Sequence, residues 1–179
     1  GGQFSVEYEE REVAPEYDWL FKRLSQDRLF ESLIIPLNVA LHLPSDIPVI
    51  IKDCDMVNAY FDINNNEIVF CNEFLADIAK KFETVYKTQD EVYVGLVGTA
   101  VFIFFHELGH ALVTNLDLPI TGRQEDAVDQ LALFTMLFDQ NPRDIALLLE
   151  AIAYWGIYAE WEAGVVVRSE EHTSELQSP

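Results

Sequence analysis

Residues 92–115 read VYVGLVGTAVFIFFHELGHALVTN, an apolar segment that ends in two histidines four positions apart. Its length and composition predict a buried helix over residues 90–115. Residues four apart share one face of a helix, so the imidazoles of His106 and His110 can both reach one tetrahedral zinc ion. Glu107 follows the first histidine, where it can act as general base toward a metal-bound water. The alternative is a pair of histidines that pack or hydrogen-bond within a core.

Carboxylates that follow the histidines supply candidates for a third zinc ligand. A Thr121-x-x-Gln124 pattern is typical of a capping box and predicts that another helix starts there. Glu125 and Asp129 lie one turn apart on that helix. We predict Glu125 as the third ligand and Asp129 as the acceptor for the far N–H of a ligand histidine. Asp126 points about 100° away from Glu125 and is the second choice of ligand, and a solvated acidic face is the alternative for the whole group.

Composition excludes several classes of function. Half of the 179 residues are hydrophobic, which is enough for one domain with a sizeable core. Eleven Lys and Arg oppose 31 Asp and Glu, and the formal net charge of −20 repels phosphate backbones and anionic lipids. We therefore expect no nucleic-acid partner. The apolar run at 92–105 is shorter than the roughly 20 residues that span a bilayer, so we also expect no membrane span.

The remaining periodicity predicts one mostly helical α+β domain with a small sheet. A β-branched run at 47–51 predicts a buried strand, and three consecutive asparagines at 64–66 predict the turn of a hairpin. The predicted hairpin strands are 58–62 and 67–71. The predicted helices, besides the one at 90–115, are 19–40, 72–82, 144–161 and one that the capping box starts at 121 and that runs to about 140.

Both ends of the chain are predicted to lie outside the fold. Residues 7–16 contain five glutamates and one arginine, so residues 1–16 are expected to be a flexible, solvated acidic arm. Residues 168–178, RSEEHTSELQS, match the in-frame translation of a common sequencing adapter. We therefore expect 168–179 to be a non-native tail. The domain itself is predicted over 17–167, truncated at its C-terminus.

Two motifs carry a resemblance to a known group of enzymes. The His-Glu-x-x-His motif at 106–110, followed by Glu-x-x-x-Asp at 125–129, resembles the gluzincin pattern of thermolysin-like zinc peptidases. The hairpin segment from Asn58 to Phe61 is similar to the edge strand that holds extended substrate in those enzymes. This resemblance implies a zincin-like fold with one zinc ion. It also implies an edge strand over the active-site helix in which Asn58, Ala59 and Tyr60 bind peptide.

Over residues 29–138 the sequence also resembles a bacterial family of metallopeptidases of unassigned function. That resemblance rests on the hairpin, the histidine motif and the stretch LPITGRQEDAVDQ at 118–130. It implies hydrolysis of peptide bonds by a metal-bound water that Glu107 activates. The alternative is a catalytically inactive zincin-like domain that binds a peptide or protein partner. Retention of Glu107 argues against that alternative, because a structural zinc site has no use for a general base.

Five further residues have candidate roles. Tyr154, Tyr158 and Arg123 are the candidates for stabilising a transition state, although a structural role is the favoured interpretation of each. Cys54 and Cys71 flank the predicted hairpin, where they can form a disulfide or remain two buried thiols. A disulfide would imply an oxidising location, in the periplasm or outside the cell.

Overall fold

The structure is a computed structural model that describes the backbone of residues 1–175 and the side chains as far as residue 164. Its strands are β1 (Phe4–Tyr8), β2 (Ile47–Lys52), β3 (Ala59–Asp62) and β4 (Glu67–Cys71). Its α-helices are α1 (Asp18–Gln26), α2 (Leu29–Ala40), α3 (Asn72–Phe82), α4 (Gln89–Asn115), α5 (Gln124–Leu137) and α6 (Pro142–Glu175), and a 3₁₀ turn spans Pro15–Tyr17. The predicted α+β class with a small sheet is therefore confirmed.

The described strands form one mixed sheet in the order β1-β2-β4-β3. β2 pairs in parallel with both β1 and β4, while β3 and β4 form the predicted antiparallel hairpin. β2 reads IPVIIK and β4 reads IVFC after its first residue, and their buried side chains pack against the helices. The ring of Phe70 in β4 lies 4.7 Å from the ring of Phe30 in α2, in a tilted arrangement. This topology leaves β3 as an open edge of the sheet.

The expectation that residues 1–16 form a flexible arm is wrong, because β1 is part of the sheet. Phe4 is buried, and its backbone exchanges two hydrogen bonds with the side chain of Asn38, at 2.7 and 2.9 Å. The backbone N–H groups of Glu12 and Val13 donate to Asp53. An edge strand tolerates the glutamates that suggested an arm, since its outer side chains remain in water.

The predicted helix at 19–40 is two helices. Arg28 adopts a φ of 53°, a left-handed conformation that interrupts the helix between α1 and α2. At the other end, α6 continues past the predicted end at residue 161 through Glu175. The predicted tail at 168–179 thus lies partly in this helix, and residues 176–179 lie outside the described residues. Its adapter origin stays a prediction.

The histidine motif lies in α4, which packs against α3, α5, α6 and β3. By length and composition α4 could span a membrane, but 72% of its most apolar window is buried inside the protein. That burial is typical of the core helix of a folded domain. Thr88 caps its start by accepting the N–H of Glu91. The two histidines therefore lie at the C-terminal end of a helix whose position the core fixes.

Candidate metal centre and its flanking cavities

His106 and His110 lie on one face of α4, with ring centroids 5.0 Å apart. Asp129 of α5 approaches Nδ1 of His106 at 2.7 Å, and Gln124 approaches Nδ1 of His110 at 2.6 Å. A carboxylate can only accept, so Nδ1 of His106 carries the proton, and in the neutral ring Nε2 keeps its lone pair. The same reasoning applies to the amide oxygen of Gln124. Both Nε2 atoms are thereby left as electron-pair donors.

Glu125 completes a cluster of three donors. Its two carboxylate oxygens lie 3.2 Å from Nε2 of His106 and 3.1 Å from Nε2 of His110. The three ligand atoms all lie within 4.8 Å of one another. When both rings are neutral, two imidazole lone pairs and a carboxylate converge here, and a cation would stabilise that arrangement. Asp126, the second choice of ligand, is not a member of this cluster.

Glu107 is the buried carboxylate of the site, with 8% of its surface exposed. Its Oε2 accepts a hydrogen bond of 2.9 Å from the backbone N–H of Phe61 in β3. Burial raises the pKa of Glu107, although His106, His110 and the N–H of Phe61 act in the opposite direction. The structure thus brings the predicted base to the open edge of the sheet.

Gly109 permits the close approach of α4 and α5. A Cβ at this position would lie 2.7 Å from Cγ1 of Val128, closer than packed side chains allow. Val128 is buried on α5 between the residues that contact the two histidines. The glycine inside the histidine motif therefore sets the spacing that lets Glu125 reach both imidazoles.

The hairpin is tied to the rest of the sheet by a disulfide between Cys54 and Cys71, whose Cα atoms are 5.4 Å apart. The bond joins the loop after β2 to the end of β4. The N–H of Cys54 also donates to the carboxylate of Glu73, and the N–H of Cys71 donates to the carbonyl of Asn58. The loop that leads into β3 is thereby held at both ends.

Two cavities flank His106 and Glu107. The larger has a volume of about 680 Å³ and contains Asn58 and Ala59 in its lining, together with Tyr154 and Tyr158 of α6. The smaller, of about 430 Å³, has a lining that includes Tyr60. Arg123 is not among the described residues that line either cavity.

The two tyrosines proposed as transition-state stabilisers differ in exposure. Tyr154 is 2% exposed, and its hydroxyl donates to Asp77 at 3.5 Å. Burial, followed by the negative charge of Asp77, raises the pKa of Tyr154. Tyr158 is 40% exposed. Arg123 is the residue before α5 and occupies its N-cap.

Sequence reasoning missed two groups of the site. Gln124 was predicted as half of a capping box with Thr121, but α5 starts at Gln124 without a side-chain cap, and the amide contacts His110 instead. The backbone N–H of Phe61 was not predicted to contact Glu107. The position of Gln124 directly before Glu125 was the available signal, whereas no residue type marks a backbone donor.

Comparisons with known proteins identify a family and nothing closer. No curated protein and no solved structure matches the chain. A family profile does match it, over nearly its whole length and into the segment that we expect to be of adapter origin. The chain belongs to the DUF4344 family, described as "Putative metallopeptidase", whose profile matches residues 8–177.

Proposed function

We propose that this chain is a zinc-dependent peptidase in which Glu107 is the general base. The observation that carries the proposal is the convergence of His106, His110 and Glu125 within 4.8 Å. Three protein ligands with a fourth position open are typical of catalytic zinc sites, whereas structural sites are closed by protein. Membership of a family described as metallopeptidases agrees with this function.

The donor set fits zinc because two neutral imidazoles and a carboxylate are among its usual ligands. The chemistry that such an ion supplies is Lewis-acid activation of a water molecule and of the scissile carbonyl. Asp129 and Gln124 hold the two rings in the tautomer that presents Nε2, at 2.7 and 2.6 Å. Acceptors of this kind are commonly required for full metal affinity.

Glu107 takes a proton from the attacking water and returns it to the leaving amine. The hydrogen bond from Phe61 engages Oε2 and leaves Oε1 to accept that proton. Burial raises the pKa of this carboxyl and so makes its carboxylate the stronger base. Burial of a carboxylate also costs free energy. A domain that only binds a partner would gain no catalysis in return, so the buried Glu107 argues against that alternative.

The peptide would bind as an added strand on the open edge of β3. In the β3–β4 ladder, Tyr60 lies opposite Val69, and the N–H of Cys71 donates to the carbonyl of Asn58. Because hydrogen-bonded pairs alternate along an antiparallel ladder, the backbone groups of Ala59 point away from β4. They are free to pair with a peptide, while Asn58 and Tyr60 supply side chains.

Three finer features complete the proposal. The fold is proposed to be zincin-like, with β3 as the edge strand over α4. Tyr158, which lines the larger cavity and is partly exposed, is the preferred transition-state stabiliser over Tyr154 and Arg123. The Cys54–Cys71 disulfide supports a periplasmic or extracellular location.

Metal analysis of the purified protein tests this proposal. We expect about one zinc per chain, lost in His106→Ala, His110→Ala and Glu125→Ala because each removes one of the three ligands. Asp126→Ala is the matched control, one residue from Glu125, and should keep its zinc. Full zinc in Glu125→Ala with loss in Asp126→Ala would make the ligand assignment wrong. A zinc-loaded chain that cleaves nothing in a peptide mixture would contradict the peptidase function.

A further inference from the structure

The larger cavity beside His106 is walled by aromatic side chains, none of which is a candidate metal ligand. Its volume of about 680 Å³ falls within the range of roughly 300–1,000 Å³ typical of ligand pockets. Phe74 contributes from α3, Phe102 from α4, and Tyr154, Trp155 and Tyr158 from α6. Three separate helices therefore turn aromatic rings toward one space.

These rings already contact each other in edge and tilted geometries. Phe74 meets Tyr154 edge-on at 6.2 Å, and Trp155 meets Tyr158 edge-on at 5.9 Å. Tyr154 also lies 5.2 Å from Trp155. Aromatic rings prefer such arrangements, because the positive edge of one ring faces the negative face of another. A further aromatic ring that enters the cavity finds both faces and edges to contact.

Asp77, one of the three acidic residues in the wall, is already paired with a cation. Asp77 forms an ion pair of 2.5 Å with Lys81, whose side chain is only 7% exposed. Tyr154 adds its hydroxyl to the same carboxylate. The ammonium group of Lys81 also lies 5.5 Å from the ring of Tyr158. An anionic side chain would meet the carboxylates of Glu107 and Asp129, and a cationic one would find Asp77 and Asp129 already paired, so the cavity favours an uncharged side chain.

The cavity adjoins the reacting position. His106 and Glu107 line both this cavity and the smaller one, which contains Phe61, His110 and Glu125 in its wall. A peptide laid along β3 therefore passes from one cavity to the other across Glu107. The side chain in the larger cavity then belongs to a residue next to the bond that is cut.

We propose that this cavity selects peptides with an aromatic residue beside the scissile bond. The inference rests on the proposed peptidase function for the position of the cut, but the binding preference itself does not require catalysis. Burial of a Phe-sized side chain strengthens binding by roughly 10- to 100-fold over alanine. Edge-to-face contacts add roughly 2- to 10-fold for an aromatic over an aliphatic side chain.

Binding to the zinc-loaded Glu107→Gln chain tests the preference, because this variant keeps the peptide intact. The probes are blocked tetrapeptides Ac-Ala-Ala-X-Ala-NH2 with X as Phe, Trp, Leu, Ala or Glu, and affinity is measured by titration calorimetry. We expect the Phe and Trp peptides to bind roughly 10- to 100-fold tighter than the Ala peptide. The Leu peptide should have an affinity between those of the aromatic peptides and the Ala peptide, and the Glu peptide should bind most weakly.

Wall variants show whether the cavity causes the preference. Trp155 is 45% exposed, so Trp155→Ala should fold, and it should reduce the Phe-to-Ala affinity ratio several-fold while zinc content stays unchanged. Trp155→Phe should restore most of the ratio. Phe134→Ala is the control, since Phe134 is an exposed aromatic residue of α5 outside the cavity lining. Its ratio should equal that of the parent.

The outcomes separate this inference from the proposed function. Equal affinity for Phe and Ala peptides, or an unchanged ratio in Trp155→Ala, would overturn the aromatic preference. Cleavage of a peptide mixture by the unmutated zinc-loaded chain at sites without a flanking aromatic residue would overturn it as well and leave the peptidase function intact. Aromatic-selective binding without any cleavage would support the cavity and overturn the peptidase proposal.

Discussion

The two helices that build the candidate metal centre differ in their environment. α4 contributes from the core, where Glu107 is 8% exposed and its neighbours Leu108 and Gly109 are buried. α5 contributes from the surface, where the side chains of Glu125 and Asp129 are 58% and 54% exposed. Core packing fixes the first set, whereas the second set is held by its contacts with the histidines and by a narrow buried stripe on α5.

Because of this difference, substitutions on the two helices should affect different properties: catalysis for α4 and metal affinity for α5. A substitution of Glu107 on α4 should change the rate of catalysis and not the affinity for metal, because the candidate ligands keep their positions. A substitution of Glu125 or Asp129 on α5 should lower the affinity for metal, because few other contacts hold these two side chains in place. Phe134, on the outer face of α5, is 62% exposed, so the core does not hold this face of the helix.

Neutralising the buried base gives the largest expected effect. Glu107→Gln keeps the shape and the hydrogen bond from Phe61, so it removes only proton transfer and should lower kcat/KM by roughly 10²- to 10⁴-fold. Zinc content, measured by elemental analysis, should match that of the parent. Glu125→Gln is the comparison from α5 and should lose zinc together with activity. Zinc loss in Glu107→Gln would instead make this glutamate a ligand, and undiminished cleavage would remove it from the reaction.

The contact between the two helices can be disturbed at Gly109. A Cβ in Gly109→Ala would lie 2.7 Å from Val128 and push α5 outward, at a cost of about 1–3 kcal/mol of unfolding free energy. Denaturant unfolding measures that loss, and chelator competition should show weaker zinc binding. Gly156→Ala is the control, because a Cβ there meets nothing within 4 Å. Equal zinc affinity in both variants would mean that α5 does not need this close approach.

The α4 half of the site could be predicted from the sequence, because one helix carries it. His106, Glu107 and His110 follow from helical periodicity alone, and the hairpin follows from three asparagines between two strand-like runs. The four-residue spacing of Glu125 and Asp129 likewise predicted two carboxylates on one face of α5. Local spacing determines such features, so local sequence patterns reveal them.

The parts that escaped prediction depend on contacts between distant segments. β1 was predicted to be a solvated arm, because its charge is typical of disorder. Its partner strand β2 lies 43 residues further along the sequence, as Phe4 pairs with Ile47. Gln124 satisfied a capping pattern, and only the packing of α5 on α4 directs its amide to His110. The larger cavity combines α3, which ends at Phe82, with α6, which begins only at Pro142. No local pattern encodes these distances.

The two histidines also differ from each other, in the side chain that accepts a hydrogen bond from each ring. Asp129 gives His106 a charged acceptor, whereas Gln124 gives His110 a neutral one. Asp129→Asn should weaken zinc binding by roughly 10- to 100-fold, and Gln124→Ala by only roughly 2- to 10-fold, because hydrogen bonds to charged groups are stronger. Competitive chelator titration of both variants measures this order, and added zinc should restore part of the activity. Zinc retention by Asp129→Asn equal to that of the parent would remove Asp129 from the site.

The smallest effect is expected at the hairpin, which in the proposed function contacts substrate and not metal. The carbonyl of Asn58 accepts the N–H of Cys71, so Asn58→Ala keeps the ladder and removes only an exposed side chain that lines the larger cavity. We expect a loss of peptide affinity of roughly 2- to 10-fold, the value of one hydrogen bond, with zinc content unchanged. Asn64→Ala, in the turn at the far end of the hairpin, lies outside both cavity linings and should bind as the parent does. Unchanged affinity in Asn58→Ala would mean that the peptide does not follow β3. Zinc loss in that variant would instead mean that the hairpin supports the metal centre, and the separation between the zinc-binding helices and the substrate-binding edge would no longer hold.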